Sequence, residues 1–187
     1  MNRSNFYAAL RGSALFPRGL TPGQIKGMEA LLDAAASLAT DETAYVLATA
    51  YHETAATMQP IAEYGKGRGR KYGVPGRNGG QVPYGRGFVQ TTWDVNYERT
   101  DRELGLGGAI VKNYDLLLTD YELAAKAAVL GMVEGWYTTK KLADYFAGGK
   151  CDYVGARRII NGTDKAQKIA GHAVFFAKAL AAAQVAA

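Results

Sequence analysis

Cysteine and uninterrupted apolar sequence are both scarce in this chain. A single cysteine, Cys151, excludes an intramolecular disulfide and suits a reducing compartment such as a cytoplasm. Near Met1 no apolar run reaches signal-peptide length, because Arg11 and Gly12 interrupt it, so no secretion signal is expected. The apolar tail from Ala170 is broken by His172, Lys178 and Gln184, which argues against a membrane span. No internal repeat or interdomain linker stands out. At 187 residues and 48% hydrophobic composition, one compact domain spanning 1–187 is expected.

Acidic residues are sparse in the middle of the chain. Between Tyr64 and Arg102, eight basic residues face only Asp94, Glu98 and Asp101, which accounts for the whole formal charge of +5. Such a segment suits a polyanionic partner, and charge alone is compatible with nucleic acid, an anionic cell wall or a membrane surface.

What is present is mostly helical pattern. Ile25, Met28, Leu31, Leu32, Ala35 and Leu38 recur at three and four, predicting a helix over Thr21–Leu38 with Thr21 as N-cap and Pro22 at its first position. A second helix is expected from Thr40, with Asp41 and Glu42 in its first turn, continuing through Thr54 and Met58 to a stop at Pro60. From Gly65 to Gly87, nine glycines and two prolines predict a long loop with a short hairpin, a feature more often functional than idle. Further helical patterns cover Thr91–Leu104, Tyr121–Trp136, Lys140–Phe146 and Tyr153–Ile160. A last helix is expected from about Asp164, capped by Thr163, with a stripe of Ile169, Ala173, Phe176 and Leu180. The fold class is mainly α.

Two glutamates stand near the start of the glycine-rich loop. Glu53 falls at the edge of its helix's apolar face, where partial burial favours the protonated carboxyl that a proton donor needs. Glu63 follows the expected helix stop, where water and Lys66 or Arg68 favour the carboxylate. Two carboxyls in contrasting surroundings are the usual acid and base of glycoside hydrolysis. The bland alternative is a pair of solvated surface charges. Other chemistries fit poorly. A zinc helix motif built on His52-Glu53 would need histidine at Ala56, and GKGRGRKYG has Arg70 where a dinucleotide fingerprint needs glycine. Neither a metal nor a cofactor is implied.

Three segments in order, YHET (51–54), YGRGFVQTTWDVNY (84–97) and RRIING (157–162), resemble glycoside hydrolase family 19, the chitinase family that also contains phage endolysins. GMVEGWYTTKKLADYF (131–146) is similar to the phage and prophage branch. The resemblance implies a lysozyme-like, two-lobed helical domain with a central cleft and a glycine-rich loop or short hairpin. It implies Glu53 as general acid and Glu63 as general base in an inverting mechanism, which places carboxyls roughly 6.5–9.5 Å apart. Thr92 matches a hydroxyl that holds the attacking water. Gln90, Asn96, Tyr97 and Asn161 match substrate-binding positions, and His52, Tyr64 and Tyr84 are further candidates to touch substrate. Arg86 either contacts substrate or is structural, orienting a carboxylate through its fork. Tyr64, Tyr72, Tyr84, Trp93 and Trp136 could stack on sugar rings, although a helical aromatic is more often core. His172 reads as structural or exposed.

The chain departs from the plant enzymes of that family. Only nine residues separate Glu53 from Glu63, the cysteines of the plant disulfides are absent, IING is followed by Thr163, and Phe88-Val89 replace the usual proline and isoleucine. The expected activity is that of an endolysin on the β-1,4 glycan of peptidoglycan. It would act as a monomer, wait in the host cytoplasm before lysis and reach the wall from the periplasmic side. The last helix could touch an anionic membrane, although a core helix explains the same spacing better. A chitinase is the nearest alternative. A nucleic-acid-binding module using loop 66–71 and an enzyme-dead wall-binding descendant are the others.

Overall fold

The computed structural model describes residues 1–184 and is mainly helical. The first helix, α1 (Arg3–Leu10), has no counterpart in the sequence reading. The Asn2 side chain caps it by accepting from the N–H of Asn5, and it buries Phe6, Tyr7 and Leu10. Helix α2 (Pro22–Ala34) carries the expected start: Thr21 and Gln24 form a reciprocal capping box with Pro22 just inside. It stops short of Leu38. Three-residue bonds from Ala36 to Asp33 and from Leu38 to Ala35 tighten the chain, so Leu38 packs on the core from a turn.

Helix α3 (Thr40–Glu53) is buried along its whole middle, from Thr43 to Ala50. It does not continue through Thr54 and Met58. The Thr54 hydroxyl donates to the Ala50 carbonyl (2.7 Å) and accepts from the N–H of Met58 (3.0 Å), while Ala55, Ala56 and Met58 turn left-handed. This reversal docks the Met58 carbonyl against Gly27 of α2, where any Cβ would overlap it. Glu53 is therefore the last residue of α3, set at a chain reversal.

A two-stranded antiparallel ladder, β1 (Ile61–Ala62) with β2 (Arg86–Gly87), closes the long loop at its base, with β1 lying before Gly65 instead of inside the expected segment. Residues 86–91 turn back through an isolated bridge from Arg86 to Thr91. Helix α4 (Asp94–Glu103) begins later than Thr91 because Trp93 has φ 73°. Two single-turn helices, α5 (Ala109–Lys112) and α6 (Leu116–Thr119), follow. Helix α7 (Tyr121–Glu134) is capped by Asp120 and ends at left-handed Gly135. The segment expected as Lys140–Phe146 is helical only over α8 (Ala143–Phe146), and Tyr153–Ile160 forms a 3-10 helix over Gly155–Ile159. The last helix is α9 (Ala166–Ala182). Lys165, left-handed at φ 59°, precedes it in place of a Thr163 side-chain cap.

Two apolar clusters result. The larger unites α1, α2, α3, part of α7 and α9, including the expected stripe Ile169, Ala173, Phe176 and Leu180. The smaller holds Tyr97, Ile110, Tyr114, Leu117 and Ala127, with the rings of Tyr97 and Tyr114 stacked 3.8 Å apart. Helix α7 contributes to both, Ala127 to one and Ala128 to the other. The two-lobed architecture follows from this division. Among the described residues, no helix is long and apolar enough to cross a membrane.

Candidate active site

A cavity of about 250 Å³ is lined by Glu53, Val89, Gln90, Thr92, Asn96, Tyr137, Ile160 and Asn161. Four of these come from residues 89–96, beside the small cluster; Glu53 comes from α3 in the large one. Residues from all three family-like segments thus meet in one place.

Glu53 is half-buried, its side chain 17% exposed, and its fixed partner is Arg157. Nη1 of Arg157 donates to Oε1 of Glu53 at 2.6 Å, while its Nε donates to the carbonyl of Asp164 at 3.0 Å. The second carboxyl oxygen, Oε2, has no protein hydrogen-bond partner among the described residues, which leaves it for a ligand in the cavity. Arg157 heads the RRIING segment, yet its role was not legible there, because Glu53 lies 104 residues away.

Glu63 is not among the residues lining that cavity, but it is joined to it. Its backbone N–H donates to the Gly85 carbonyl (2.7 Å), and its Oε2 accepts from the N–H of Gly85 (3.1 Å). On its other side Gly85 meets the cavity wall: a Cβ there would stand 2.8 Å from Oε1 of Gln90 and 3.3 Å from Oγ1 of Thr92. A side chain here would have to push the Gln90 amide aside. The hydroxyl of Tyr72 donates to Oε1 of Glu63 at 2.9 Å. Burial, then the bond to Glu63 and its charge, push that hydroxyl's pKa up.

The wall residues are held by the backbone around them. Gln90, left-handed at φ 60°, sends Nε2 to the carbonyls of Ile61 and Gly87, both at 3.2 Å. Thr92 donates its hydroxyl to the Gln90 carbonyl (2.8 Å), and Asn96 donates Nδ2 to the Thr92 carbonyl (2.7 Å). The Thr92 oxygen keeps lone pairs for a water or a sugar hydroxyl. Asn161 is exposed at the rim, with Oδ1 accepting from the N–H of Gly162.

Other candidates lie outside the cavity lining. Tyr97 is fully buried, its hydroxyl donating to the Tyr84 carbonyl. Arg86 is 5% exposed; it pairs with Asp115 at 2.7 Å, donates to the carbonyls of Val82 and Tyr84, and lies 3.5 Å over the Tyr84 ring. Its guanidinium thus holds the Asp115 carboxylate through Nε alone, and Nη1 serves backbone carbonyls and the Tyr97 hydroxyl instead of completing a fork. Tyr84 is buried beneath it. His52 is half-buried, and burial lowers its pKa against the opposing charge of Glu53. Trp136 is buried, with Nε1 donating to Glu134. Tyr64 and Trp93 are 80% and 44% exposed, and Trp93 meets Tyr72 edge-on at 5.2 Å. Among the described residues no group of His, Cys, Asp and Glu is arranged to hold a metal ion.

No family model matches the chain. Over 46 residues, 25% of its length, it is 44% identical to the acidic 26 kDa endochitinase of Solanum lycopersicum, and the match spans 18% of that protein. In three dimensions it is similar to chitinase C from Streptomyces griseus HUT6037, with TM-score 0.66 and 20% identity over 95% of this chain and 75% of that one. It is also similar to a bacterial family 19 chitinase, with TM-score 0.57 and 22% identity over 95% and 93% of the two chains. Nearly complete coverage at such low identity is a likeness of architecture, and the fold of this chain is that of the family 19 chitinases.

Proposed function

We propose that the protein is a family 19 glycoside hydrolase that cleaves the β-1,4 glycan strand of peptidoglycan by inversion, as an endolysin does. The observation that carries the reading is the convergence of Glu53, Gln90, Thr92, Asn96 and Asn161 on one cavity from distant parts of the chain. Glu53 acts as general acid: Oε1 is pinned by Arg157, so Oε2 delivers the proton to the glycosidic oxygen. Glu63, held by Tyr72 and Gly85, acts as general base on a water that Thr92 helps to hold. As the leaving group takes the acid's proton, the base removes one from the water, and the attacking oxygen bonds the anomeric carbon from the opposite face. Gln90, Asn96 and Asn161 offer amides to sugar hydroxyls and N-acetyl groups.

A chitinase is the second reading, favoured by the names of the similar proteins. One experiment separates the two and tests both: purified sacculi and N-acetylglucosamine hexamers are incubated with the protein and with Glu53→Gln, and products are read by mass. Cleaved glycan from sacculi, absent or reduced by about 10²–10⁴-fold in the variant, is the expected result. Cleavage of the hexamer alone selects the chitinase, and full activity of Glu53→Gln on either substrate removes the acid assignment.

A further inference from the structure

The cationic stretch next to Glu63 is folded into a compact body. Between Glu63 and Gly73 the chain makes successive tight turns, closed by bonds from Lys66 to Glu63, Arg68 to Gly65, Arg70 to Gly67 and Gly73 to Arg70, each at 2.9–3.0 Å. Gly65, Gly67 and Gly69 are left-handed, alternating with the cations Lys66, Arg68 and Arg70. Gly67 is buried against Gly73 so closely that a Cβ on either would strike the other's backbone. The result is a knot closed at its centre by Gly67 against Gly73, with Gly65, Gly69 and the cations on its surface. Lys66, Arg68, Arg70 and Lys71 are all exposed, and none is ion-paired among the described residues.

The knot is fastened to the candidate active site at one point. Tyr72 leaves it to donate to Glu63, and its ring meets Trp93, the neighbour of the cavity residue Thr92. The positive charge of Arg70 acts on the Tyr72 hydroxyl in the opposite sense to that of Glu63. Four cations with no protein partner thus stand on a rigid support beside the cleft. A flexible basic tail would lose entropy on binding, and this body has lost most of it already.

We propose that the knot at residues 64–73 recognises the carboxylates of the peptide stems carried by peptidoglycan, and so selects the wall polymer over uncharged chitin. The proposal rests on the hydrolase reading above and adds its specificity determinant. Muramyl residues bear an acidic peptide on their lactyl group, so an anion projects from the strand at every second sugar; chitin projects none. Lysine and arginine at the cleft edge meet those carboxylates as the strand is seated, and the energy appears in KM and in salt dependence.

The test compares the parent with a Lys66→Gln, Arg68→Gln, Arg70→Gln, Lys71→Gln variant, its fold checked by circular dichroism and melting. Soluble glycan strands carrying their peptides are assayed beside the same strands stripped by an amidase and then amidated at the lactyl carboxylates which that cleavage exposes. The ratio of kcat/KM on stem-bearing to stripped strands is expected to fall about tenfold in the variant, as two or three screened ion pairs together supply. Most of that fall should lie in KM, with the parent's salt dependence flattened. An unchanged ratio, or equal losses on both substrates, overturns the proposal while leaving the hydrolase reading intact. A parent that cleaves neither substrate removes the hydrolase reading; sedimentation of Glu53→Gln protein with the two kinds of strand then still reports on the knot. A duplex DNA shift abolished in the variant, with the strand ratio unmoved, assigns the knot to nucleic acid and overturns the proposal.

Discussion

Replacing Arg157 by methionine removes a guanidinium that is 4% exposed and leaves the Glu53 carboxyl, 17% exposed, without its fixed partner. Two losses follow: the ion pair at 2.6 Å, and the hydrogen bond from Nε to the Asp164 carbonyl. Breaking a fully buried pair from one side costs about 3–5 kcal/mol, and the cost here falls toward the lower end because Glu53 opens on the cavity, where water can reach it. The neutral bond adds about 1 kcal/mol. The same substitution in a Glu53→Gln background strands no charge, and the amide oxygen was accepting only a dispensable bond, so the cost there should drop to roughly 1–2 kcal/mol. The difference, a coupling energy of about 2 kcal/mol or more, is the quantity to measure. Urea denaturation of the four proteins at neutral pH, followed by circular dichroism, gives it directly. Activity should vanish with Arg157→Met even where the fold persists, because Oε2 of Glu53 is then no longer aimed into the cavity. Additivity of the two substitutions within about 0.5 kcal/mol would refute the view that Arg157 acts through Glu53.

Two further outcomes follow from the packing. Gly27→Ala places a methyl on the Met58 carbonyl, a backbone atom that cannot rotate away, so the reversal after Glu53 must shift; a loss of about 3 kcal/mol or more in thermal or urea denaturation is expected, with activity falling too, and a wild-type melting curve contradicts it. Burial lowers the pKa of both His52 and His172, the second also facing Lys168. The unfolded chain therefore takes up protons first as pH falls past about 6.5, so stability is complete above that value, declines through it towards the depressed native values, and then levels for these groups. His172→Phe should flatten part of that decline between pH 7.5 and 5, and an identical pH slope in the variant excludes the histidine as its source.

The parts of the fold that could be read from sequence are those whose signal is local and repeated. Thr21 and Pro22 announce the start of α2, and the stripe on α9 runs long enough to be unambiguous. Helix α1 escaped because its eight residues, little more than two turns, bury only three side chains, too short a pattern to stand out. The four-residue helices α5, α6 and α8 and the 3-10 turn at Gly155–Ile159 are set by packing, which no window of sequence contains. The end of α3 was misjudged for a definite reason: apolar spacing continues through Met58, but the Thr54 hydroxyl captures the backbone and ends the helix. Of the cavity wall, Glu53, Gln90, Thr92, Asn96 and Asn161 were legible, whereas Tyr137, which also lines it, and Arg157, which pairs with Glu53 without lining it, depend on contacts too distant in sequence to infer.

The positions where local rules are broken map onto the site. Among the described residues, the non-glycine residues with left-handed backbone are Ala55, Ala56, Met58, Lys66, Gln90, Trp93, Thr139 and Lys165. Ala55 and Ala56 carry the chain away from Glu53. Lys66 is in the knot beside Glu63, Gln90 is in the cavity wall, and Trp93 follows Thr92. Thr139 comes just after Tyr137, and Lys165 follows Asp164, whose carbonyl holds Arg157. Each such residue costs roughly 1–3 kcal/mol relative to relaxed backbone, and the regular helices of the two cores show none. Stability is thus concentrated in α2, α3, α7 and α9, and part of it offsets these conformations, of which only the reversal at Met58 also serves the packing of α2. A fold selected for stability alone would place glycine or relaxed turns at these points. On the proposed reading, the strained turns hold Glu53, Gln90 and Thr92 in place before a sugar arrives, so that binding does not have to supply that order.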